Sequence, residues 1–437
     1  MCKIFEGIIR DHIVDHFTRN DLFTTHQHGF RHGRSTVTQL LESLEKWTSW
    51  LEEGKPVDVI YLDFQKAFDS VPIQRLLVKI KSYGITGNIL KWIESFLTSR
   101  QQRVNINGSM SQWKDVLSGV PQGSVLGPTL FLIFINDMPE MVKACIKLFA
   151  DDAKLFKPVL TLQDCEAMQV DVQQLENWAD VWQMKFQPSK CTVLRIGKNH
   201  PDFQYKMSDS GQDIPLDIKR CVKDLGIWID QNLNFEFHIT EMVKKANKIT
   251  GLMWRTFEYV DVEVFKLLYT SMIRPHLEYG APVWSPHVWK LADQIESVQR
   301  RATKRIPNFG NLTYVERLKR LKIPTLLYRR LRGDLINTYK YMHDLYETTK
   351  CLPPINEDII LRGHNLRLTK LRSKTNIRMY FFSNRVVDWW NLLPSEVVNA
   401  PSVNSFKSRL DIYFKDHPVV YDYRALDNPQ RTQMSVY

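Results

Sequence analysis

The sequence Phe149-Ala150-Asp151-Asp152 places two carboxylates side by side. Apolar residues flank it on both sides: Cys145, Ile146, Leu148, Leu155 and Phe156. This pattern predicts a strand, a tight turn that carries the acids, and a second strand. Burying two neighbouring charged carboxylates costs free energy, and a cation that prefers oxygen ligands, such as Mg²⁺, removes that cost. The alternative interpretation is an acidic turn in water, because Asp is common in turns.

A second acidic position follows another apolar stretch. Residues 57–62 are rich in β-branched and aromatic side chains, which predicts a strand, and Asp63 comes directly after them. An Asp at the end of a strand is placed to bind an ion at the edge of a sheet. A solvated turn residue is the alternative interpretation of Asp63.

Two glycine-rich loops accompany these acids. The loop 26–36 holds Arg31 and Arg34, and its cations and backbone N–H groups can bind phosphates; the alternative is a plain loop with a helix cap at Ser35 or Thr36. The loop 118–128 precedes an apolar stretch that predicts a helix, and its glycines let a backbone or a ligand approach closely.

The composition limits the class of protein. The chain has 437 residues, 43% hydrophobic and 24% charged, enough for two or three domains with a core. A net charge of +11 with 11% aromatic residues favours a nucleic-acid partner, with an anionic membrane surface as the weaker alternative. We find no transmembrane run and no signal-peptide pattern. Six scattered cysteines without a C-x-x-C pair predict a reducing compartment and no zinc knuckle.

The second half of the chain has helical spacing, with runs at 239–259, 261–274 and 290–306. On the third run the cations Arg301, Lys304 and Arg305 form a stripe, and a second basic run covers 314–332. Because these cations are dense and one-sided, contact with a nucleic-acid backbone is favoured over solvated helix faces. Residues 377–414 hold an apolar cluster that predicts packing, and the chain from 415 onward is expected to be mobile.

Four motifs in this order make the chain resemble a reverse transcriptase: Asp63, Pro121-Gln122-Gly123, the 149–152 hairpin and Lys190. The resemblance is to the non-LTR retrotransposon type, in the jockey, CR1 and L2 style, and it extends from residue 1 to about residue 415. Four ordered motifs at family spacing are far more specific than any one of them.

The resemblance implies an α+β fold, a right-hand polymerase whose palm is an antiparallel sheet with helices. It implies partial fingers at 1–54, a palm at 55–237, a helical thumb and basic region at 238–343, a linker at 344–376, and a helical C-terminal extension and tail at 377–437. Relatives carry an upstream endonuclease and more of the fingers, so we expect this copy to be truncated and impaired in nucleotide binding.

The resemblance also implies the roles of individual residues. Asp63 and Asp151 would hold two Mg²⁺ ions, or Mn²⁺ as a substitute, with Asp152 beside Asp151 and the carbonyl of Phe64 as a further ligand. Lys190 matches the lysine proposed to protonate the pyrophosphate leaving group.

Further positions match the substrate-binding parts of the family. Phe68 falls where the family places a steric gate against a ribose 2′-hydroxyl, and Gln122 and Gly123 would contact the incoming nucleotide and the template. Residues 222–237 resemble the primer-grip hairpin.

The function implied is RNA-directed DNA synthesis, in which the 3′-hydroxyl of a DNA primer attacks a dNTP that is paired with an RNA template. The element's own RNA is an expected template. The expected location is inside the cell, nuclear or cytoplasmic, without a membrane partner. Two alternatives stay open. One is an inactive polymerase remnant that binds nucleic acid through 295–332. The other is a metal-dependent nuclease, which leaves Phe68 and the 121–123 loop unexplained.

Overall fold

The computed structural model describes residues 2–209, 211–356 and 364–425. The chain folds as two compact units: unit 1 contains residues 1–39 and 54–220, and unit 2 contains residues 40–53 and 221–437. The domain boundaries inferred from the sequence stay a prediction. Helices occur together with a sheet that is antiparallel except for one parallel edge pair, which confirms the expected α+β class.

Unit 1 holds the sheet and the helices that cover it. Its helices are α1 (Cys2–Arg19), the first residues of α2 (Thr36–Glu52), α3 (Ala67–Ser70), α4 (Ile73–Ser82), α5 (Gly87–Leu97), α6 (Gly127–Phe134) and α7 (Leu162–Trp182), with a 3₁₀ turn at Met138–Met141. Its strands are β1 (Val57–Leu62), β2 (Gln101–Gln102), β3 (Asn105–Ile106), β4 (Ser109–Met110), β5 (Lys114–Asp115), β6 (Cys145–Phe149), β7 (Asp152–Pro158), β8 (Thr192–Ile196), β9 (Lys206–Asp209), β10 (Gln212–Pro215) and β11 (Asp217–Lys219).

The main sheet has five strands in the order β11-β8-β1-β7-β6. The central strand β1 is antiparallel to both neighbours, with Leu62 opposite Ala153 on β7 and Tyr61 opposite Thr192 on β8. Val59 and Ile60 are fully buried in β1, which accounts for the β-branched sequence of this strand. This order brings the end of β1 next to the β6–β7 turn.

One hydrophobic core joins this sheet to α1, α4, α6 and α7. All residues of α6 except Pro128 are buried, because its sequence is apolar all round. Lys79 on α4 also lies in this core: its Nζ donates to the carbonyl of Phe134, lies 2.5 Å from Asp137 Oδ1, and lies 3.7 Å from the ring centroid of Trp182.

Unit 2 is largely helical. It contains the rest of α2, the hairpin β12 (Cys221–Asp224) and β13 (Ile227–Asp230), and the helices α8 (Glu236–Thr256), α9 (Val262–Leu268), α10 (Arg274–Glu278), α11 (Ala281–Trp284), α12 (Trp289–Lys304), α13 (Tyr314–Leu321), α14 (Leu326–Met342), α15 (Asn376–Met379), α16 (Phe382–Arg385), α17 (Val387–Asn391), α18 (Ser395–Val398) and α19 (Val403–Tyr413). A π-helical turn covers Tyr269–Ile273, and a 3₁₀ turn covers Pro418–Val420.

The stretch 221–230 forms the β12–β13 hairpin, as its resemblance to the primer grip implies, and its role as a primer grip stays a prediction. Leu225 and Gly226 form its turn with φ of 45° and 88°. Two consecutive residues at positive φ are typical of the type I′ turn, whose twist matches that of the flanking strands. Gly226, which adopts positive φ without a steric penalty, therefore marks the point where the apolar run divides.

The predicted packing of the 377–414 cluster is confirmed. Trp390, Phe406 and Leu410 are fully buried in a core with Tyr339 of α14. The expectation of a mobile chain from 415 onward is wrong for residues 415–425: Val419 is fully buried, and its carbonyl accepts a 2.8 Å hydrogen bond from Thr325 Oγ1. Residues 426–437 of that expectation lie outside the described residues.

None of the helices in the described ranges combines the length and the apolar composition that crossing a membrane requires.

The burial of Lys79 predicts how the free energy of unfolding changes with pH. Burial lowers the pKa of Lys79 from its ordinary value of 10.5 to about 8, against the opposing attraction of Asp137. Between these two values the unfolded chain binds more protons at this site than the folded chain, so the site's contribution to the free energy of unfolding rises with pH. Denaturant unfolding at pH 8, 9 and 10 should show wild type gaining stability relative to Lys79→Met. Parallel pH profiles for the two proteins would contradict this.

Candidate active site

Asp63 is held at the end of the central strand by its backbone. Its N–H donates to Cys191 Sγ at 3.4 Å, and its carbonyl accepts from the N–H of Gln187 at 2.8 Å. One residue later, the N–H of Gln65 donates to the carbonyl of Lys185 at 2.7 Å. The backbone around Asp63 is therefore held by residues 185–191, while the Asp63 side chain is 44% exposed.

Asp151 lies at the turn between β6 and β7, as the sequence predicts. Leu62 pairs with Ala153, so Asp63, the residue directly after β1, lies beside this turn. Burial raises the pKa of Asp151, and the negative charge of nearby Asp63 raises it further, while a hydrogen bond from its own N–H opposes the rise. The two carboxylates thus form a like-charged pair, which favours binding of a cation.

Asp152 is placed differently from its neighbour. It is the first residue of β7, lies opposite Phe149, and is exposed. Among residues 2–209, 211–356 and 364–425, no three His, Cys, Asp or Glu side chains form a cluster that could hold a metal ion. The geometry therefore brings together Asp63 and Asp151, and it does not gather Asp152 into one cluster with them.

The oxygen donors that the resemblance assigns to this site suit a hard divalent cation. Two backbone hydrogen bonds flank Phe64, from the N–H of Gln65 to the carbonyl of Lys185 and from the N–H of Gln187 to the carbonyl of Asp63. Neither uses the carbonyl oxygen of Phe64. Two carboxylates and a backbone carbonyl are the ligand types that Mg²⁺ and Mn²⁺ accept. The residues present therefore fit the expected metal.

Lys190 is brought to the same point from the turn before β8. Its Nζ lies 3.7 Å from Asp63 Oδ1, and its N–H donates to the carbonyl of Gln187 at 2.8 Å. Both side chains of this pair are largely exposed, so the ion pair itself adds little to stability. A cation is therefore available at the edge of the carboxylate pair.

Phe68 and the Gln122 loop lie against each other. The ring of Phe68 stacks on Phe131 of α6 with centroids 4.4 Å apart, and its carbonyl accepts from the N–H of Val120 at 2.8 Å. Gln122 Nε2 donates to Asp69 Oδ1 at 2.8 Å. The 118–123 loop and the segment after Asp63 are therefore one connected structure.

Gly119 makes this close approach feasible. Its φ is +93°, and a Cβ added there would lie 2.8 Å from both the Cα and the carbonyl oxygen of Asp69. Its N–H donates to the carbonyl of Val71 at 2.8 Å. The glycine-rich loop thus accommodates a neighbouring backbone, which is one of the two alternatives that the sequence left open.

Arg31 and Arg34, the predicted phosphate contacts, brace their own loop in this structure. The Arg31 guanidinium lies 4.2 Å from the ring centroid of Phe23. Arg34 Nη1 donates to the carbonyl oxygens of Thr25, at 2.5 Å, and Gln27, at 3.1 Å. Their role towards phosphates stays a prediction.

Glu6 is a contributor that sequence reasoning missed. On the first turns of α1, it is 6% exposed, and its Oε2 accepts from the N–H groups of Val125 at 2.7 Å and Leu126 at 3.2 Å. This carboxylate holds the loop that continues into α6. No sequence pattern marks it, because an acid on an amphipathic helix looks like part of a solvated face.

The cations predicted to bind nucleic acid lie in unit 2, at and just after the end of α12. Arg301, Lys304 and Arg305 are exposed. Arg301 Nη2 donates to Asn247 Oδ1 at 3.2 Å, and the Arg305 guanidinium lies 5.1 Å from the ring of Trp254. The cationic stripe is therefore on the surface of unit 2.

A family model described as "Reverse transcriptase (RNA-dependent DNA polymerase)" matches residues 1–229, more than half of the chain. The chain belongs to the reverse transcriptase family. The expected kinship with the non-LTR retrotransposon type is confirmed by relatives among mobile elements.

The RNA-directed DNA polymerase of the mobile element jockey from Drosophila melanogaster is 28% identical over 360 residues, which are 78% of this chain and 38% of that protein. The retrovirus-related Pol polyprotein from the type-1 retrotransposable element R1 of Bradysia coprophila is 23% identical over 395 residues, 89% of this chain and 38% of that protein. The chain spans about a third of the length of the curated relatives it matches.

Among solved structures, telomerase from Candida albicans in complex with a fragment of telomeric RNA matches 72% of this chain and 56% of that chain. The identity is 11% and the TM-score 0.38. The RNA-dependent RNA polymerase of a human picobirnavirus matches 62% of this chain and 48% of that chain, with 13% identity and a TM-score of 0.34.

The Gly119 contact predicts a large loss of stability. Gly119→Ala should lower the free energy of unfolding by about 2–4 kcal/mol, because backbone strain and a steric clash both contribute. Gly108→Ala is the matched control: its φ is +88°, but a Cβ there meets nothing within 4 Å. The control should lose about 1 kcal/mol from strain alone. Equal losses for the two variants in denaturant unfolding would contradict the clash.

Proposed function

We propose that this chain is an RNA-directed DNA polymerase, which transfers a nucleotide from a dNTP to the 3′-hydroxyl of a DNA primer on an RNA template. The observation that carries the proposal is the convergence of Asp63 and Asp151 at the end of the central strand, with Lys190 beside them. Family membership supports it. The element's own RNA is the proposed template.

Asp63, Asp151 and the Phe64 carbonyl would hold two divalent ions, Mg²⁺ or Mn²⁺. When bound, such ions lower the charge on the attacking and leaving oxygens of an in-line displacement. The two carboxylates provide the negative charge that offsets the ions, and the rigid strand pairing holds them at one place. Asp152 then acts from the neighbouring strand position, where its exposed charge adds to the field of the pair.

Lys190 would act on the leaving side of the reaction. Its ammonium group carries a positive charge at the rim of the carboxylate pair, 3.7 Å from Asp63. A cation placed there stabilises the negative charge that develops on pyrophosphate, and it has a proton to give. Its exposure fits a group that meets a substrate rather than one that stabilises the fold.

Phe68 and the Gln122-Gly123 loop would bind the nucleotide. Phe68 is half-buried and stacked on Phe131, so its ring has a fixed position from which it can exclude a 2′-hydroxyl. Gly123 has φ of +79° and open space around it, which leaves its backbone accessible to a ligand. The exposed cations near the end of α12 would contact the nucleic-acid backbone.

The carboxylate pair predicts a specific loss of activity. Asp151→Asn should reduce primer extension with Mg²⁺ on an RNA template by about three orders of magnitude or more, because an amide does not offset the charge of the ions. Asp180→Asn, an exposed acid on α7, is the matched control and should keep wild-type activity. Chelation of the metal should abolish extension in wild type, and added Mg²⁺ or Mn²⁺ should restore it.

Equal rates of primer extension by wild type and Asp151→Asn would contradict the polymerase assignment. If both proteins fail to extend a primer but bind RNA–DNA hybrids with the same affinity, the chain is an inactive nucleic-acid-binding relative. Strand cleavage by wild type, lost in Asp151→Asn without any extension, would instead indicate a nuclease.

The position of Phe68 predicts sugar selectivity. Phe68→Ala should raise the efficiency of ribonucleotide incorporation relative to deoxyribonucleotide by about 10- to 100-fold, because the ring no longer excludes the hydroxyl. Phe96→Ala, which removes another half-buried ring, stacked on Trp92, is the control and should leave selectivity unchanged. Single-nucleotide incorporation kinetics measure both. Unchanged selectivity in Phe68→Ala would exclude the gate.

A further inference from the structure

We propose that Gln27 is a positioning residue that sets the turn carrying Asp151. The inference rests on the proposed polymerase function and concerns a residue outside the predicted site. Gln27 is 2% exposed and lies at the start of the 26–36 loop, far from Asp151 in the sequence. Its side chain is directed into the β6–β7 turn.

The Gln27 carboxamide binds both backbone polar groups of Ala150, the residue before Asp151. Its Oε1 accepts from the N–H of Ala150 at 2.9 Å, and its Nε2 donates to the carbonyl of Ala150 at 3.4 Å. The same Oε1 accepts from the N–H of Gly29 at 2.8 Å. One buried side chain therefore clasps the turn residue and its own loop together.

The backbone around Gln27 is itself anchored to β6. The N–H of His28 donates to the carbonyl of Leu148 at 2.9 Å, and the N–H of Leu148 donates to the carbonyl of His26 at 3.0 Å. This parallel bridge extends the edge of the sheet by one short pairing. The Gln27 side chain thus starts from a fixed point on the strand that leads into the turn.

Two backbone features show that this turn needs an outside support. Ala150 has φ of +54°, a conformation that residues with a side chain rarely adopt. A Cβ on Gly29 would clash with the backbone nitrogen of Ala150, so only glycine allows the loop this close. Since the carbonyl of Ala150 is part of the peptide bond to Asp151, rotation of that peptide moves the Asp151 carboxylate.

These contacts give Gln27 an expected effect that differs from simple stabilisation. Without the clasp the turn samples other conformations, and Asp151 spends less time beside Asp63. The apparent affinity for Mg²⁺ and the catalytic rate constant should therefore fall, while affinity for primer–template should not change. Substitution of a residue that orients a metal ligand typically lowers metal affinity or activity by about 10- to 100-fold.

The test compares three variants of the full chain. Gln27→Met removes the hydrogen bonds at similar volume, and Gln27→Glu keeps an oxygen acceptor for the two N–H groups. Asn391→Leu is the matched control, because the Asn391 carboxamide likewise bonds both backbone polar groups of one residue, Leu368 in unit 2, at 2.9 and 2.8 Å. Each is assayed for its thermal midpoint, its kcat, its primer–template Kd and the Mg²⁺ concentration at half-maximal extension.

Gln27→Met should raise the half-maximal Mg²⁺ concentration and lower kcat, each by about tenfold or more, with primer–template Kd unchanged. Gln27→Glu should restore part of the Mg²⁺ affinity and part of kcat. It is the variant that tests the proposal if Gln27→Met does not fold. Asn391→Leu should shift only the thermal midpoint. If the Gln27 variants likewise shift only the thermal midpoint, with wild-type Mg²⁺ dependence, the positioning role is excluded.

Two further readouts separate this inference from the polymerase proposal. Mn²⁺ binding to the protein, measured by electron paramagnetic resonance, and amide hydrogen exchange at Ala150 require no activity. Weaker Mn²⁺ binding and faster exchange in Gln27→Met support the clasp even if wild type does not extend a primer. Unchanged Mn²⁺ binding with unchanged exchange overturns it, whatever the activity of wild type.

Discussion

The repulsion between Asp63 and Asp151 is the constraint on which the rest of unit 1 depends. Two like charges stay close only if the backbone does not let them separate. Here β1 is paired along its length with β7, and the segment after β1 is bonded to residues 185–187 on the other side. The sheet thus holds two like charges close together, an arrangement that a bound divalent cation would stabilise, and for this reason we propose the pair as a binding site rather than an acidic surface.

The loops around this pair are each held from a distance. Glu6 accepts hydrogen bonds from the loop before α6, and Gly119 allows that same loop to lie on the backbone of Asp69. Gln27 holds the turn before Asp151. Residues from three separate parts of the chain therefore fix the geometry, which suits chemistry that tolerates little displacement of its reacting groups.

Many elements of this architecture follow from local patterns of apolar and turn residues in the sequence. The strand at 57–62, the hairpin at Asp151 and the helix after the 118–128 loop were predictable because apolar runs and turn residues mark them locally. The contacts of Gln27 and Glu6 join residues more than a hundred positions apart, and such contacts leave no period in the sequence. The exposed placement of Asp152 was also missed, since adjacent acids look equivalent until the register of β7 is known.

The most direct test of the account is a map of where a divalent ion binds. Fe²⁺ in place of Mg²⁺, with ascorbate and peroxide, cleaves the backbone beside the bound ion, and the fragments can be identified by mass spectrometry. The account predicts cleavage near residues 62–64 and near residues 149–152, with both lost together in Asp63→Asn. Cleavage at one segment alone, or loss of only one in that variant, would contradict a shared site.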